Sequence, residues 1–190
     1  MINLILRSAT LILFAVWRIY WLLTKKEAEI SKPKTNTTKR AIGSIMIVFS
    51  GSYIIANLVG FVLFPFHINT TVQIIGFILF MLGFFEAMVA RKTLADNWTE
   101  SYEYQIKKNH ELITKGIYRY VRHPIYGGLI LMSTGALLVS SSYTFIAALI
   151  IMLIAAEIFA QREEKLLTKH FGKKYLEYMK TTKKFIPFIY

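Results

Sequence analysis

The sequence predicts an all-α integral membrane protein: five transmembrane helices, with a cytoplasmic C-terminal helical segment completing a candidate active site. Three observations predict it. The 190 residues are 55% hydrophobic and 15% aromatic, with a mean hydropathy of +0.45, more apolar surface than one soluble domain can bury. The apolar residues fall into five runs, several near the twenty residues or so that cross a bilayer. Lys and Arg collect between those runs, on alternate connections only.

The first run covers 2–23 and contains Arg7 and Arg18. It has no leading basic cluster and no small-residue cleavage site, so it reads as a first span and not as a signal peptide. The second covers 41–64 and is ended by Pro65; the third covers 71–90. The fourth, 125–139, is short for a bilayer and predicts a helix that begins inside a protein-lined cavity. The fifth, 143–159, follows directly after Ser140, Ser141 and Ser142, a polar turn that makes runs four and five a helical hairpin. All spans must be helical, because lipid cannot satisfy open backbone groups. Residues 1–190 then form a single membrane domain, with connector 91–124 and tail 160–190 on one side.

Orientation follows from the cations. Segment 24–40 holds six Lys or Arg, 91–122 holds seven and 161–190 holds eight, whereas 65–70 and 140–142 hold none. The positive-inside rule places the three basic segments in the cytoplasm, the N-terminus outside, and an odd number of spans between. The net charge of +12 is therefore read as topology and lipid head-group contact; no nucleic-acid recognition motif accompanies it. With no cysteine, disulfides and thiolate chemistry are excluded. Four scattered histidines, His67 and His110 among them, have no metal-ligand spacing, so no metal is predicted. Asn36-Thr37-Thr38 matches a glycosylation sequon on the predicted cytoplasmic side, where it is discounted.

Two constellations could carry chemistry. Arg122-His123-Pro124 stands just before the fourth run. Pro124 suits a first helical turn, and the helix end favours an anion. His123 and Tyr126 could face one cavity; equally, Arg122 and His123 could be flanking cations and Gly127 and Gly128 packing residues. Glu163-Glu164 ends the fifth run, where adjacent carboxylates are either a solvated face or a partner for a cationic ligand. Glu86 and Glu157 lie inside predicted spans, as functional groups or as buried or snorkelling residues. Arg7 and Arg18 read as snorkelling or lipid-binding. Past 159 the helix is expected to continue to a stop at Phe171-Gly172. A second short helix should then put Tyr175 and Tyr178 near the membrane interface.

Gly116-Ile117-Tyr118-x-x-x-Arg122-His123-Pro124-x-Tyr126-x-Gly128, with Glu163-Glu164-x-x-Leu167-x-x-x-Phe171-Gly172-x-x-Tyr175-x-x-Tyr178 and a closing Ile186-Pro187, resembles the isoprenylcysteine carboxyl methyltransferase family, in particular its short prokaryotic or archaeal members. Phospholipid methyltransferases are wider relatives. The motifs cover about the last eighty residues; the first ninety or so match only as spans. The resemblance implies S-adenosylmethionine as methyl donor, with S-adenosylhomocysteine as product. It implies a donor pocket at Glu103, His110, Glu111, Leu112, Ile113, Tyr118, His123, Pro124, Ile125, Tyr126 and Glu163. It also implies two arginines near the substrate carboxylate. Arg91 matches the first; Phe159 stands where the second would be, and Arg162, immediately before Glu163, is assigned its part.

The implied activity is methyl transfer to the carboxylate of a lipidic, isoprenylcysteine-like acceptor at the inner membrane face, the acceptor entering from the lipid. A carboxylate is already ionised near neutral pH, so the reaction needs positioning and exclusion of water, not a strong base. Alternatives are a phospholipid amine N-methyltransferase, which needs a base such as His123 or Glu164, a membrane reductase, for which no phosphate-binding glycine loop is present, and a small transporter lined by Glu86, Glu157 and the arginines. Oligomeric state and the physiological acceptor are not legible.

Overall fold

A computed structural model describes residues 1–24, 37–98, 106 and 110–186, without the side chains of 37–40, 42–44, 46, 47 and 96. The described residues are helical throughout their regular structure: α1 Ile2–Leu23, α2 Thr37–Val59, α3 Thr70–Leu94, α4 Pro124–Val139, α5 Thr144–Phe171 and α6 Lys173–Thr181. Short 3-10 turns occupy Ala95–Asn97 and Gly116–Arg119. Three helices, α1, α3 and α5, are long and apolar enough to cross a membrane, and the chain is a membrane protein. Helix α4 and the Val48–Val59 part of α2 are shorter apolar helices.

Helices α3 and α4 form the centre, and glycine is the reason they approach so closely. A Cβ on Gly76 would lie 2.8 Å from the Gly135 carbonyl oxygen, and one on Gly128 would lie 2.7 Å from the Gly83 carbonyl oxygen. The reciprocal additions, on Gly135 and Gly83, would collide with the opposite backbone outright. Each pair sits seven residues from the next on both helices, so the contact repeats every two turns along one seam. Most of α4 is buried in consequence.

Helix α1 packs on this centre through Thr10, Phe14, Trp17 and Trp21, a stripe at helical spacing. The rings form a ladder, with centroids 5.6 Å apart for Phe14–Trp17, 5.3 Å for Trp17–Trp21 and 5.5 Å for Trp21–Trp98. The opposite side of α1 shows Ile5, Ile12, Ile19 and Leu23 to the surroundings, the arrangement of a lipid-facing surface.

The end of the bundle away from the Arg-His-Pro segment is tied by polar groups. Arg7 donates through Nη2 to the Ser140 carbonyl at 2.7 Å. Gln73 Nε2 donates to Asn3 Oδ1 and to the Val139 carbonyl, each at 2.8 Å. Ser142 Oγ donates to the Leu63 carbonyl at 2.7 Å. Arg7 is thus a strut between α1 and the serine turn. Helix α2 stops at Val59 because Gly60 takes φ +114°, a left-handed conformation that breaks the helix. The apolar residues 61–64 are irregular, not the helical end the sequence predicts.

At the other end α5 continues unbroken past Glu163 and Glu164 to Phe171 and turns at Gly172, φ +57°. Helix α6 follows, and the chain then returns to the start of α4. Lys183 N donates to the Tyr120 carbonyl at 2.9 Å, Arg122 N to the Lys183 carbonyl at 2.8 Å and His123 N to the Lys184 carbonyl at 3.0 Å. This pairing holds the tail against the Arg-His-Pro segment. Tyr175, 1% exposed, faces inward.

Candidate methyl-donor site

His123 caps α4, and Pro124 occupies its first turn, as its fixed φ favours. The imidazole is buried. Its Nε2 lies 3.2 Å from Glu164 Oε1 and its Nδ1 3.6 Å from Glu163 Oε2. The Tyr126 hydroxyl donates to Glu163 Oε2 at 3.1 Å, and the Tyr126 ring stacks on His123 with centroids 5.5 Å apart.

The two glutamates have different surroundings. Arg122 Nε donates to Glu164 Oε1 at 2.9 Å, and Lys184 Nζ lies 3.9 Å from Glu164 Oε2. Arg122 also donates through Nη1 to the Thr182 carbonyl and to the Met179 carbonyl at 3.2 Å. Glu164 therefore sits at the centre of a buried charge network that fastens α5 to both the Arg-His-Pro segment and the tail. Glu163 has a 40% exposed side chain. Among the described residues no hydrogen bond reaches its Oε1, so it keeps an acceptor available.

Burial disfavours the charged form of His123, but hydrogen bonds and charge from Glu163 and Glu164 outweigh it and raise the imidazole pKa above its ordinary 6.5. The phenols of Tyr118, Tyr175 and Tyr178 are all pushed up, burial being the largest cause. They remain neutral donors at physiological pH. Tyr178 uses its hydroxyl to donate to the Tyr118 carbonyl at 2.6 Å.

A cavity opens over these groups. Of the residues singled out in the sequence, His110, Glu111, Leu112, Ile113, Tyr118, His123, Ile125, Tyr126 and Glu163 line it. Pro124 is buried behind the wall. Glu103 lies outside the described residues. Arg122, which the sequence groups with His123 and Pro124, also lines it, as do Leu167, Phe171, Tyr175 and Tyr178 of the quoted motif; Leu94, Asn97, Trp98, Ile106 and Leu166 complete the lining without having been placed in the site from the sequence. Leu166 and Leu167 stand three and four residues after Glu163, on its own helix face, and that spacing was legible.

The two arginines are placed differently. Arg91 does not line the cavity but is buried beside it, 4% exposed. It donates through Nη1 to the Ala95 carbonyl at 2.9 Å and through Nη2 to the Thr24 carbonyl. Its guanidinium lies 4.3 Å from the Trp98 ring centroid and 5.8 Å from that of Trp21. It joins the ends of α1 and α3 and backs Trp98, a wall of the cavity. Arg162 is exposed and outside the cavity, about 200° around the helix from Glu164; the structure does not bring it to the site. Glu157 is paired, 2.7 Å from Lys184 Nζ.

Residues 71–174 match the family model for phospholipid methyltransferases. Similar curated proteins are the protein-S-isoprenylcysteine O-methyltransferase A of Arabidopsis thaliana, 30% identical over 60% of this chain and 58% of its own length, and the protein-S-isoprenylcysteine O-methyltransferase of Schizosaccharomyces pombe, 29% identical over 78% of this chain and 65% of its own. The chain thus spans about 58% of the length of the Arabidopsis relative. A solved structure of a eukaryotic intramembrane Ras methyltransferase, an isoprenylcysteine carboxyl methyltransferase, shares the fold with a TM-score of 0.55 at 22% identity, over 80% of this chain and 52% of that one. The relatives are those whose motifs the sequence resembles, and the chain belongs to the phospholipid methyltransferase family.

Proposed function

We propose that the protein transfers a methyl group from S-adenosylmethionine to the carboxylate of a lipidic, isoprenylcysteine-like acceptor at the inner membrane face. In this reading five helices, α1 to α5, span the membrane, with the N-terminus outside and the tail cytoplasmic. The observation that carries the proposal is Glu163. Its carboxylate is fixed by Tyr126 and His123, and it lines a cavity whose walls are aromatic and aliphatic.

These residues fit the donor. The available acceptor at Glu163 suits an ammonium group. Trp98, Phe171 and Tyr175 with Leu112 and Ile113 offer flat and apolar surfaces for a purine. When bound, S-adenosylmethionine supplies an electrophilic methyl on a sulfonium. Glu163 holds its cationic end, and Tyr126 and His123 keep Glu163 oriented. His123 is engaged by two carboxylates, which favours its charged form and leaves it poorly suited as a base. A carboxylate acceptor needs none. Arg91, behind the Trp98 wall, favours the acceptor carboxylate through its charge and not by direct contact. Trp98 and the tail exclude water.

The test is thermal unfolding of detergent-purified protein with S-adenosylhomocysteine. The wild type is expected to be stabilised, and Glu163→Ala to lose that stabilisation while unfolding near the wild-type temperature without ligand. Unaltered ligand stabilisation of Glu163→Ala would overturn the site.

A further inference from the structure

The turn that ends α3 is strained, and the contacts that hold it lead to the cavity. Ala95 follows the last helical residue with φ +45° and ψ −118°, the backbone of the first central position in a type II′ turn, where glycine is favoured. Gly172 takes nearly the same conformation after α5, with φ +57° and ψ −130°. At 95 an alanine takes it, and such a conformation persists only where the surroundings over-determine it. Two groups do so here. Arg91 Nη1 donates to the Ala95 carbonyl at 2.9 Å, and the Trp98 amide donates to the same oxygen at 3.4 Å. The Arg91 guanidinium also stands 4.3 Å from the Trp98 ring centroid. Beyond this turn Asn97 and Trp98 both line the cavity.

Asn97 joins this turn to a second stretch of the wall. Its Oδ1 accepts from the Glu111 amide at 2.8 Å, across 14 residues of sequence. A backbone N–H can bond only the oxygen of a carboxamide, so this contact fixes which way the Asn97 amide lies. Glu111, Leu112 and Ile113 all line the cavity and have no regular secondary structure. Among the described residues, these three make no other main-chain hydrogen bond. A wall segment with so few bonds must otherwise be ordered by the ligand itself, at an entropic cost to affinity. We propose that Asn97 is a positioning residue for the methyl donor: it fastens the main chain at Glu111, so that Leu112 and Ile113 stand in the pocket wall before the donor arrives. The inference rests on the donor pocket proposed above. It gives Asn97 a part in donor affinity and none in the transfer of the methyl group.

The experiment measures equilibrium binding of labelled S-adenosylhomocysteine to the full chain in detergent, beside hydrogen exchange of the ligand-free peptide that contains Glu111. This ligand lacks the sulfonium charge, so a carboxylate at 97 alters the hydrogen bond without attracting a cationic sulfur. Asn97→Ala removes the acceptor. It is expected to weaken binding by about tenfold, the factor that one hydrogen bond of ordinary net strength represents, and to speed exchange at Glu111. Asn97→Asp keeps an oxygen for the amide and is expected to bind within about twofold of wild type, with exchange unchanged. Asn97→Leu, of similar bulk but without an acceptor, should behave as Asn97→Ala and serves in its place if that variant folds poorly. A role in stability alone would lower the ligand-free unfolding temperature and leave the affinity of the folded protein as it was. Binding by Asn97→Ala or Asn97→Leu within about twofold of wild type, or an equal loss in Asn97→Asp, therefore overturns the role of Asn97, while wild-type binding leaves the donor pocket standing. Absence of binding by the wild type overturns the pocket and this inference with it.

Discussion

Replacing Glu164 with alanine is expected to destabilise the protein by about 3–5 kcal/mol, the usual cost of removing one partner from a buried charge pair. The structure places the value toward the lower end. Glu164 is 7% exposed and accepts from Arg122 at 2.9 Å, with His123 at 3.2 Å. Its loss strands two buried cationic groups at once. Arg122, however, retains its bonds to the carbonyls of Thr182 and Met179, and His123 can become neutral. Glu164→Gln keeps an acceptor oxygen and loses only the charge, so about 1.5–3 kcal/mol is expected, the value of a hydrogen bond to a charged group. Glu163→Ala, at a 40% exposed side chain, should cost about 1 kcal/mol or less. The assay is reversible denaturant unfolding in detergent, comparing free energies at equal slope. If Glu163→Ala proves the more destabilised, or Glu164→Ala stays within about 1 kcal/mol of wild type, the division between a fastening and a ligand-binding carboxylate is wrong.

The His123 shift gives a pH signature. Because its folded-state pKa is raised above 6.5, the folded protein binds the extra proton. The associated stability is fully present below about pH 6.5 and is lost as pH rises through the folded value. Unfolding free energy should therefore fall with pH above that point, and His123→Gln should flatten the slope. The glycine seam can be tested by Gly135→Ala, which sets a methyl against the Phe80 backbone, 2.9 Å from its Cα, and should cost about 1–3 kcal/mol of overpacking. Gly51→Ala, with nothing within 4 Å of the added carbon, should instead be neutral or gain about 0.5–1 kcal/mol; equal losses at both sites would remove the seam's special status.

Much of the helical organisation was legible because the chain separates its apolar runs with polar or cationic connections. Hydropathy failed at residues 60–64. Gly60, Phe61, Val62, Leu63 and Phe64 read as the end of a span, yet the left-handed φ at Gly60 ends the helix whatever follows. In the site, His123, Tyr126 and Glu163 were legible as a motif, and their meeting across 37 to 40 residues was implied by resemblance, not by local pattern. Tyr175 and Tyr178 are legible as sharing a face, but the burial of that face against the rest of the protein is not. Their true direction depends on the backbone pairing of 183–184 with 120–123, which has no signature in either segment alone. Trp98 was missed for a similar reason: its place in the wall is fixed by Arg91 and Trp21, residues far apart in sequence. Arg162 shows the limit of adjacency, since neighbours on a helix point about 100° apart.

The same pairing of 183–184 with the start of α4 sets a schedule for biogenesis. His123 is synthesised 61 residues before Lys184, which at about 5–20 residues per second is a delay of roughly 3–12 s. Through that interval the carbonyls that Arg122 and the His123 amide will bind have not yet been made. The pocket wall is therefore a late event, completed only once residues 179–184 have been made.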